Sequence, residues 1–371
     1  MRSAASAGSS AMIDSRSSPH ACRPIMSSNS GWIRFPIMAH LRACGCRSAQ
    51  GYLRVLTVSA SPHANDTRVF ASLAHLAVWA AVYVTAAVIC AAQLTGATHA
   101  LTPITLIFTW STALLAYLLD RVKLRDAWLD PADAQAHPVR YAFLYDRRHA
   151  ARLLMAGAGL LSLASGWLLH PIAALATGAA VAGVLLYAGR PRTAGAGPRI
   201  KDRFILKNLF VGAGIAAFAL LVLVLAAAPD APRAPVPQPP DLLTRLCTLL
   251  PAPPLLLTLT GLYLTLRVYA DAVLCDIDDE AADRAFDTRT LPTRLGGERA
   301  WRLAMWARLA LAATLLVWPV GPFAPRAAWA AASAAGTVLL RWRRPPKIRD
   351  LVDLRFGAEG ACVWVVLRMV G

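Results

Sequence analysis

The chain has 371 residues, of which 57% are hydrophobic and 16% charged, and its mean hydropathy is +0.47. A soluble domain carries about 25% charged residues, so this composition excludes general disorder and disfavours a cytosolic globular enzyme. The formal net charge is +17, but the basic residues lie in short loops between apolar blocks, which favours the orientation of membrane spans over nucleic-acid binding.

The first segment, residues 1–68, is rich in Ser and Arg and holds two acids, Asp14 and Asp66. It contains no long apolar run, so it is not a secretory signal peptide, although an Arg-rich leader poor in acids is also typical of an organellar transit peptide. We expect a disordered tail or a spurious N-terminal extension without function, followed by a membrane domain over residues 69–371.

Apolar blocks near the ~20 residues needed to cross a bilayer fill the rest of the chain. They predict an all-α, polytopic membrane bundle of about nine transmembrane helices around a central cavity. The predicted spans are 69–94, 101–119, 153–169, 171–188, 209–228, 249–270, 303–320, 327–340 and 351–369. The last contains Asp353, Arg355 and Glu359, and Arg308 near the start of the seventh is expected to reach the membrane surface with its long side chain.

The loops between these spans differ sharply in charge. Alternate loops, with the adjoining span ends, hold 24 Lys and Arg residues against three in the opposite loops, which places the first set in the cytoplasm. We therefore expect a cytoplasmic N-terminus in a multi-pass protein, most simply of a bacterial inner membrane.

A cluster of acids, CDIDDEAADR, follows the sixth span at residues 275–284. Asp276, Asp279 and Asp283 are spaced i, i+3 and i+7, which places them within about 60° of one another on a helix. Such carboxylates repel one another unless a cation lies between them. Mg²⁺ suits the position, because it prefers oxygen ligands and is commonly shared between carboxylates and a substrate phosphate. The alternative is a solvated acidic face balanced by Arg284 and Arg289.

The stretch DIDDEAADRAFDTRTLPTRLG at 276–296 resembles the second aspartate-rich motif of the UbiA superfamily of intramembrane prenyltransferases. That motif has the form D-x-x-D-x-x-x-D-R and continues into R-T-L-P-x-R-L-G, and residues 289–296 fit the continuation at every fixed position. The nine-span layout agrees with the same family over roughly residues 70–371.

The resemblance implies a first motif, N-D-x-x-D-x-x-x-D, after the second span. Asp120 and the following Arg121 match it, but Tyr117 and Leu124 stand where two acids are expected. Asp126 lies nearby and would contribute only if the helix ends or bends before it.

The resemblance also implies Mg²⁺-dependent transfer of a prenyl group from an isoprenoid diphosphate to an acceptor, such as a quinone-ring precursor. The implied catalytic and metal-binding residues are Asp120, Asp276, Asp279 and Asp283, with Asp126 as a further candidate. The implied diphosphate-binding residues are Arg121, Lys201, Lys207, Asn208 and Arg284.

Two other interpretations stay open. The incomplete first motif is compatible with a protein that binds an isoprenoid without transferring it. A transporter is disfavoured because the acids cluster at the ends of spans, whereas transporter sites tend to lie near the bilayer midplane.

Overall fold

A computed structural model of the chain describes residues 65–124, 131–188, 200–227, 253–343 and 348–370. Within these ranges the chain is helical, with no strand. We number the helices α1 Asn65–His75, α2 Val78–Thr95, α3 Pro103–Val122, α4 Pro131–Ala136, α5 Pro138–Asp146, α6 Arg148–Leu169, α7 Pro171–Ala188, α8 Leu206–Ala226, α9 Pro254–Ala285, α10 Leu291–Leu295, α11 Gly297–Leu316, α12 Phe323–Arg343 and α13 Arg349–Val370. The predicted tail at 1–68 falls almost wholly outside the described residues and stays a prediction.

The nine helices of 18 or more residues in the described ranges correspond one for one to the nine predicted spans. Six of them, α2, α3 and α6 to α9, are long and apolar enough to cross a membrane by length and composition. Helices α11 to α13 are long enough, but their composition is less apolar. The all-helical membrane bundle expected from the sequence is thus confirmed.

Two boundaries differ from the prediction. The first span is divided at Ala77, whose φ of 63° is left-handed and separates α1 from α2. The sixth does not end at residue 270, because α9 continues through the acidic cluster for 32 residues in all. At 1.5 Å per residue it is ~48 Å long, which exceeds the ~30 Å hydrocarbon core of a bilayer.

Small residues bring neighbouring helices close together, as lipid-embedded packing requires. The α8–α9 contact is the clearest case, because a Cβ atom added to Gly212 would lie 2.7 Å from the backbone oxygen of Thr265. Gly214, two residues further along the same helix, has nothing within 4 Å of such an atom.

This difference yields a matched pair of variants. We expect Gly212→Ala to lower stability by about 1–3 kcal/mol, because the added methyl group forces two backbones apart, whereas Gly214→Ala should be neutral or slightly stabilising through its better helix propensity. Thermal unfolding of both variants in the same detergent checks this, and equal midpoints would contradict the close α8–α9 contact.

A network of ionised side chains lies inside the bundle. Arg267 of α9 is fully buried and donates from Nη2 to both carboxylate oxygens of Glu359 on α13, at 2.8 and 2.6 Å. Arg308 Nη1 and Arg355 Nη2 lie 2.8 and 3.1 Å from Oδ1 of Asp271. The charged residues of the last span therefore face the protein interior, which is why α13 forms a regular helix despite them.

The placement of Arg308 corrects the sequence-based expectation. Its side chain is fully buried and pairs with Asp271, instead of extending to the membrane surface. The physical reason is that a buried carboxylate one helix away offers this guanidinium a stronger partner than the interface does.

Candidate active site

A cavity of about 230 Å³ opens between the ends of α3, α8, α9 and α13, next to the short helices α4 and α5. Its wall holds nearly all the residues singled out in the sequence: Asp120, Arg121, Lys201, Lys207, Asn208, Asp276, Asp279 and Asp283. The three acids of α9 therefore share one face, as their spacing predicts, and that face lines the same cavity as Asp120.

Asp276 is bound by two neighbouring residues at the start of α8. Lys207 Nζ donates to its Oδ1 at 2.7 Å and Asn208 Nδ2 donates to its Oδ2 at 2.8 Å. Asp276 and Asn208 are buried, at 2% and 6% exposure. Because hydrogen bonds to ionised groups are stronger than neutral ones, this contact fixes the position of Lys207 at the cavity wall.

Asp279 is contacted from two other elements of the fold. Arg349, the first residue of α13, donates from Nη2 to Asp279 Oδ2, and His137 Nε2 lies 2.9 Å from Oδ1. Burial of the imidazole, with Arg349 beside it, lowers the pKa of His137 to about 4. The ring is therefore neutral at pH 7. When its Nε2 accepts a hydrogen bond from Arg349 Nη1 at 2.8 Å, it has no proton to donate to Asp279 Oδ1, which is buried without a hydrogen-bond partner.

Asp278, another acid of the cluster, explains how Arg349 reaches the site. Its Oδ2 accepts hydrogen bonds from the backbone N–H groups of Ile348 and Arg349, at 2.8 and 3.0 Å. These are unpaired donors at the start of α13, and an acidic side chain there also interacts favourably with the helix dipole. One acidic cluster thus both lines the cavity and anchors the last helix.

Asp283, like Asp279, has a buried carboxylate oxygen without a hydrogen-bond partner. It is 7% exposed, and its Oδ2 is buried without a hydrogen-bond partner. A buried carboxylate oxygen needs a donor or a cation, and the surrounding oxygen ligands suit Mg²⁺. With the side chains as they stand, no three His, Cys, Asp or Glu residues in the described ranges are grouped closely enough to hold a metal. Lys207 and Arg349 instead contact Asp276 and Asp279.

The first motif is reduced to one acid in the described residues. Asp120 lines the cavity and pairs with Lys123, whose Nζ lies 2.5 Å from its Oδ1. Tyr117 also lines the cavity, while Leu124 is 51% exposed. Asp126 lies outside the described residues, so its contribution stays a prediction.

The predicted diphosphate-binding cations differ in their surroundings. Lys201 lies 3.3 Å from Asp133 of α4, and Arg121 donates to the backbone oxygen of Ala74. Arg284 does not line the cavity, since its guanidinium is 59% exposed and pairs with Glu280 at 2.6 Å.

Several cavity residues were not selected from the sequence, namely Lys123, Asp133, Arg140, Asp271, Arg349 and Asp353. Burial and the nearby Arg121 and Arg349 lower the pKa of Arg140 to about 9, which still leaves it charged at pH 7. Most of these residues lie in loops or in the last span, where charged residues indicate only how the membrane spans are oriented. Their one shared signal is polarity close to a span end.

Comparisons with known proteins identify the family of the chain. The sequence model of the UbiA prenyltransferase family matches residues 146–353, more than half of the chain. The match includes the second motif and begins after Asp120. No curated protein shows a significant match.

Two solved structures resemble the fold. One is the apo structure of a UbiA homolog from Aeropyrum pernix K1, with 17% identity and a TM-score of 0.51, covering 78% of this chain and 98% of that one. The other concerns digeranylgeranylglyceryl phosphate synthase, with 11% identity and a TM-score of 0.41, covering 79% of this chain and 94% of that one. With the family match extending from α5 into α13 and through the acidic motif, the chain belongs to the UbiA prenyltransferase family.

Proposed function

We propose that this protein transfers a prenyl group from an isoprenoid diphosphate to a polar acceptor at the membrane, with Mg²⁺ as cofactor. The observation that carries the proposal is the meeting of Asp276, Asp279 and Asp283 with Asp120 at one cavity, where Asp283 Oδ2 is buried and unpartnered. The acceptor is a molecule such as a quinone-ring precursor. The motif residues would face the cytoplasm of a bacterial inner membrane, in keeping with the charge of the loops.

The residues of the second motif have the chemistry that a divalent ion prefers, although Lys207 and Arg349 contact two of them in this structure. Asp276, Asp279 and Asp283 would hold it, since they offer oxygen ligands from one helix face. When bound, Mg²⁺ would neutralise charge that develops on the diphosphate oxygens as the substrate reacts. The first motif fits such an ion poorly, because Asp120 is its one described carboxylate.

The chain's own cations would hold the diphosphate. Lys207 lies at the cavity wall next to Asn208, and Arg349 lies beside Asp279. As the allylic C–O bond breaks, its electron pair leaves with the diphosphate, and these positive groups stabilise the growing negative charge. The acceptor then attacks the allylic carbon and loses a proton.

The rest of the cavity would serve the isoprenoid. Val211, Ile215 and Val268 provide apolar contacts for the prenyl chain. Tyr117 and Tyr187 line the same cavity, and aromatic ring faces attract cations such as an allylic carbocation. An apolar wall also keeps water from the reactive carbon, which favours transfer over hydrolysis.

The direct test is turnover of a radiolabelled prenyl diphosphate in membranes that contain the protein. We expect label to enter a lipid-extractable product, and removal of divalent ions with EDTA to slow transfer at least ~100-fold, with recovery on added Mg²⁺. Membranes without the protein are the control. Equal transfer in the presence of EDTA would refute the magnesium part of the proposal.

A second candidate function is binding without transfer, and the absence of acids at Tyr117 and Leu124 favours it. The same assay separates the two. A binding protein would retain the intact prenyl diphosphate and release no diphosphate during the incubation, whereas a transferase would release one diphosphate for each prenyl group transferred.

A further inference from the structure

The neighbourhood of Asp120 holds a cation supplied by the chain itself. Lys123 Nζ lies 2.5 Å from Asp120 Oδ1, and the lysine side chain is only 10% exposed although it is charged. Both residues line the cavity. Lysine is rarely buried unless it is paired, so this ammonium group is held inside the site by the carboxylate.

The backbone at Lys123 is unusual. Helix α3 ends at Val122, and Lys123 adopts φ 58° and ψ 155° while its N–H donates to the backbone oxygen of Leu119. This region is essentially restricted to glycine and costs a residue with a Cβ atom about 1–3 kcal/mol. Such strain persists where the surroundings hold the residue in place, and it is concentrated at functional sites.

The sequence explains why the first motif carries so little negative charge around Asp120. Tyr117 and Leu124 supply no carboxylate, and Leu124 is half exposed. A divalent ion is poorly held by a single described acid, whereas one ammonium group balances one carboxylate. Lysine has three N–H donors, and Asp120 is its one recorded acceptor in the described part of the chain, so two donors are left for a phosphate group.

We propose that Lys123 replaces a divalent ion at the first motif: its ammonium group neutralises Asp120 and contacts the diphosphate, so that the protein binds this anion with one divalent ion instead of two. This inference rests on the proposed function and makes it more specific. The second motif would supply the single ion site, and the strained turn would hold the lysine within reach of the diphosphate.

The test measures binding by the full chain, purified in detergent, with inorganic diphosphate as the anion and Mn²⁺ as the divalent ion. Electron paramagnetic resonance counts bound Mn²⁺, and calorimetry gives the diphosphate affinity. We expect one Mn²⁺ per chain in the presence of diphosphate. We expect Lys123→Gly to weaken diphosphate binding at least ~10-fold, because a cationic contact is lost.

Lys123→Gly is chosen because glycine tolerates this backbone conformation, so the variant should unfold at an equal or higher temperature. A loss of binding then has no folding explanation. Arg341→Met removes an exposed cation, which pairs with Glu298 away from the cavity, and should leave binding unchanged. In the Lys123→Gly/Tyr117→Asp variant, the restored acid should allow a second Mn²⁺ to bind.

Two results would overturn the role of Lys123: binding of two Mn²⁺ ions by the unchanged protein, or undiminished diphosphate affinity in Lys123→Gly. Either would leave the proposed function intact if Asp279→Asn/Asp283→Asn still abolishes Mn²⁺ binding. If the unchanged protein binds neither Mn²⁺ nor diphosphate, both the role of Lys123 and the proposed function are wrong.

Discussion

The double variant Asp279→Ala/Asp283→Ala is expected to transfer prenyl groups about 10²–10³-fold more slowly than the unchanged protein. It removes two of the three motif carboxylates that α9 presents to the cavity, each of which has a buried oxygen without a hydrogen-bond partner. Losing one preorganised group that stabilises transition-state charge typically costs a factor of this size. The measurement is turnover of radiolabelled prenyl diphosphate at saturating Mg²⁺.

The controls separate chemistry from folding. Glu298→Ala removes a half-exposed acid of α11 that pairs with Arg341 outside the cavity, and should keep full activity. Asp279→Asn/Asp283→Asn preserves the shape of both side chains and should lose nearly as much activity as the alanine variant. Undiminished transfer in either double variant would refute the assignment of these acids.

The largest expected effect on stability comes from Arg267. Arg267→Met leaves Glu359 buried without its bidentate partner and removes a contact to Asp271. Breaking a buried ion pair from one side costs about 3–5 kcal/mol. Arg355 Nε, 3.3 Å from Glu359 Oε1, offsets part of the lost interaction, so we expect a cost near the lower end of this range. Thermal unfolding in detergent should therefore show a marked fall in the midpoint temperature.

Two further variants test this explanation. Arg341→Met breaks an ion pair whose partners are 41% and 51% exposed, and exposed pairs of this kind contribute little. Arg267→Met/Glu359→Met removes both charges, leaves Asp271 with Arg308 and Arg355, and should be more stable than the single variant. A single variant as stable as Arg341→Met would show that the network adds little to folding.

Most of the fold could be predicted from the sequence because lipid leaves few choices. Apolar blocks of the right length must form helices with internally satisfied backbone groups, and their boundaries were correct to within a few residues for α6 and α7. The acids of α9 could be assigned to one face because helical periodicity is a local property. The same logic could not locate their partners, which come from distant segments.

The partners of Asp279 illustrate the difference. His137 and Arg349 are 142 and 70 residues away in the sequence, respectively, and each occurs in a basic loop segment where its type carries no specific signal. Arg308 shows the opposite error: a rule about long cationic side chains near span ends gave the wrong location, because the rule contains no information about Asp271. Lys123 lies beside the first motif. Its positive φ could not be predicted, because no glycine marks this position.

The length of α9 has a consequence for how the two products would separate. Asp276 lies 22 residues after Pro254, a distance of ~33 Å along the helix axis. This is close to the ~30 Å thickness of the hydrocarbon core, so the acids would lie near the membrane–water interface. The released diphosphate would then diffuse directly into the aqueous phase, while the hydrophobic prenylated product would stay in the lipid bilayer. Partition of the two products into different solvents would make the reverse reaction rare.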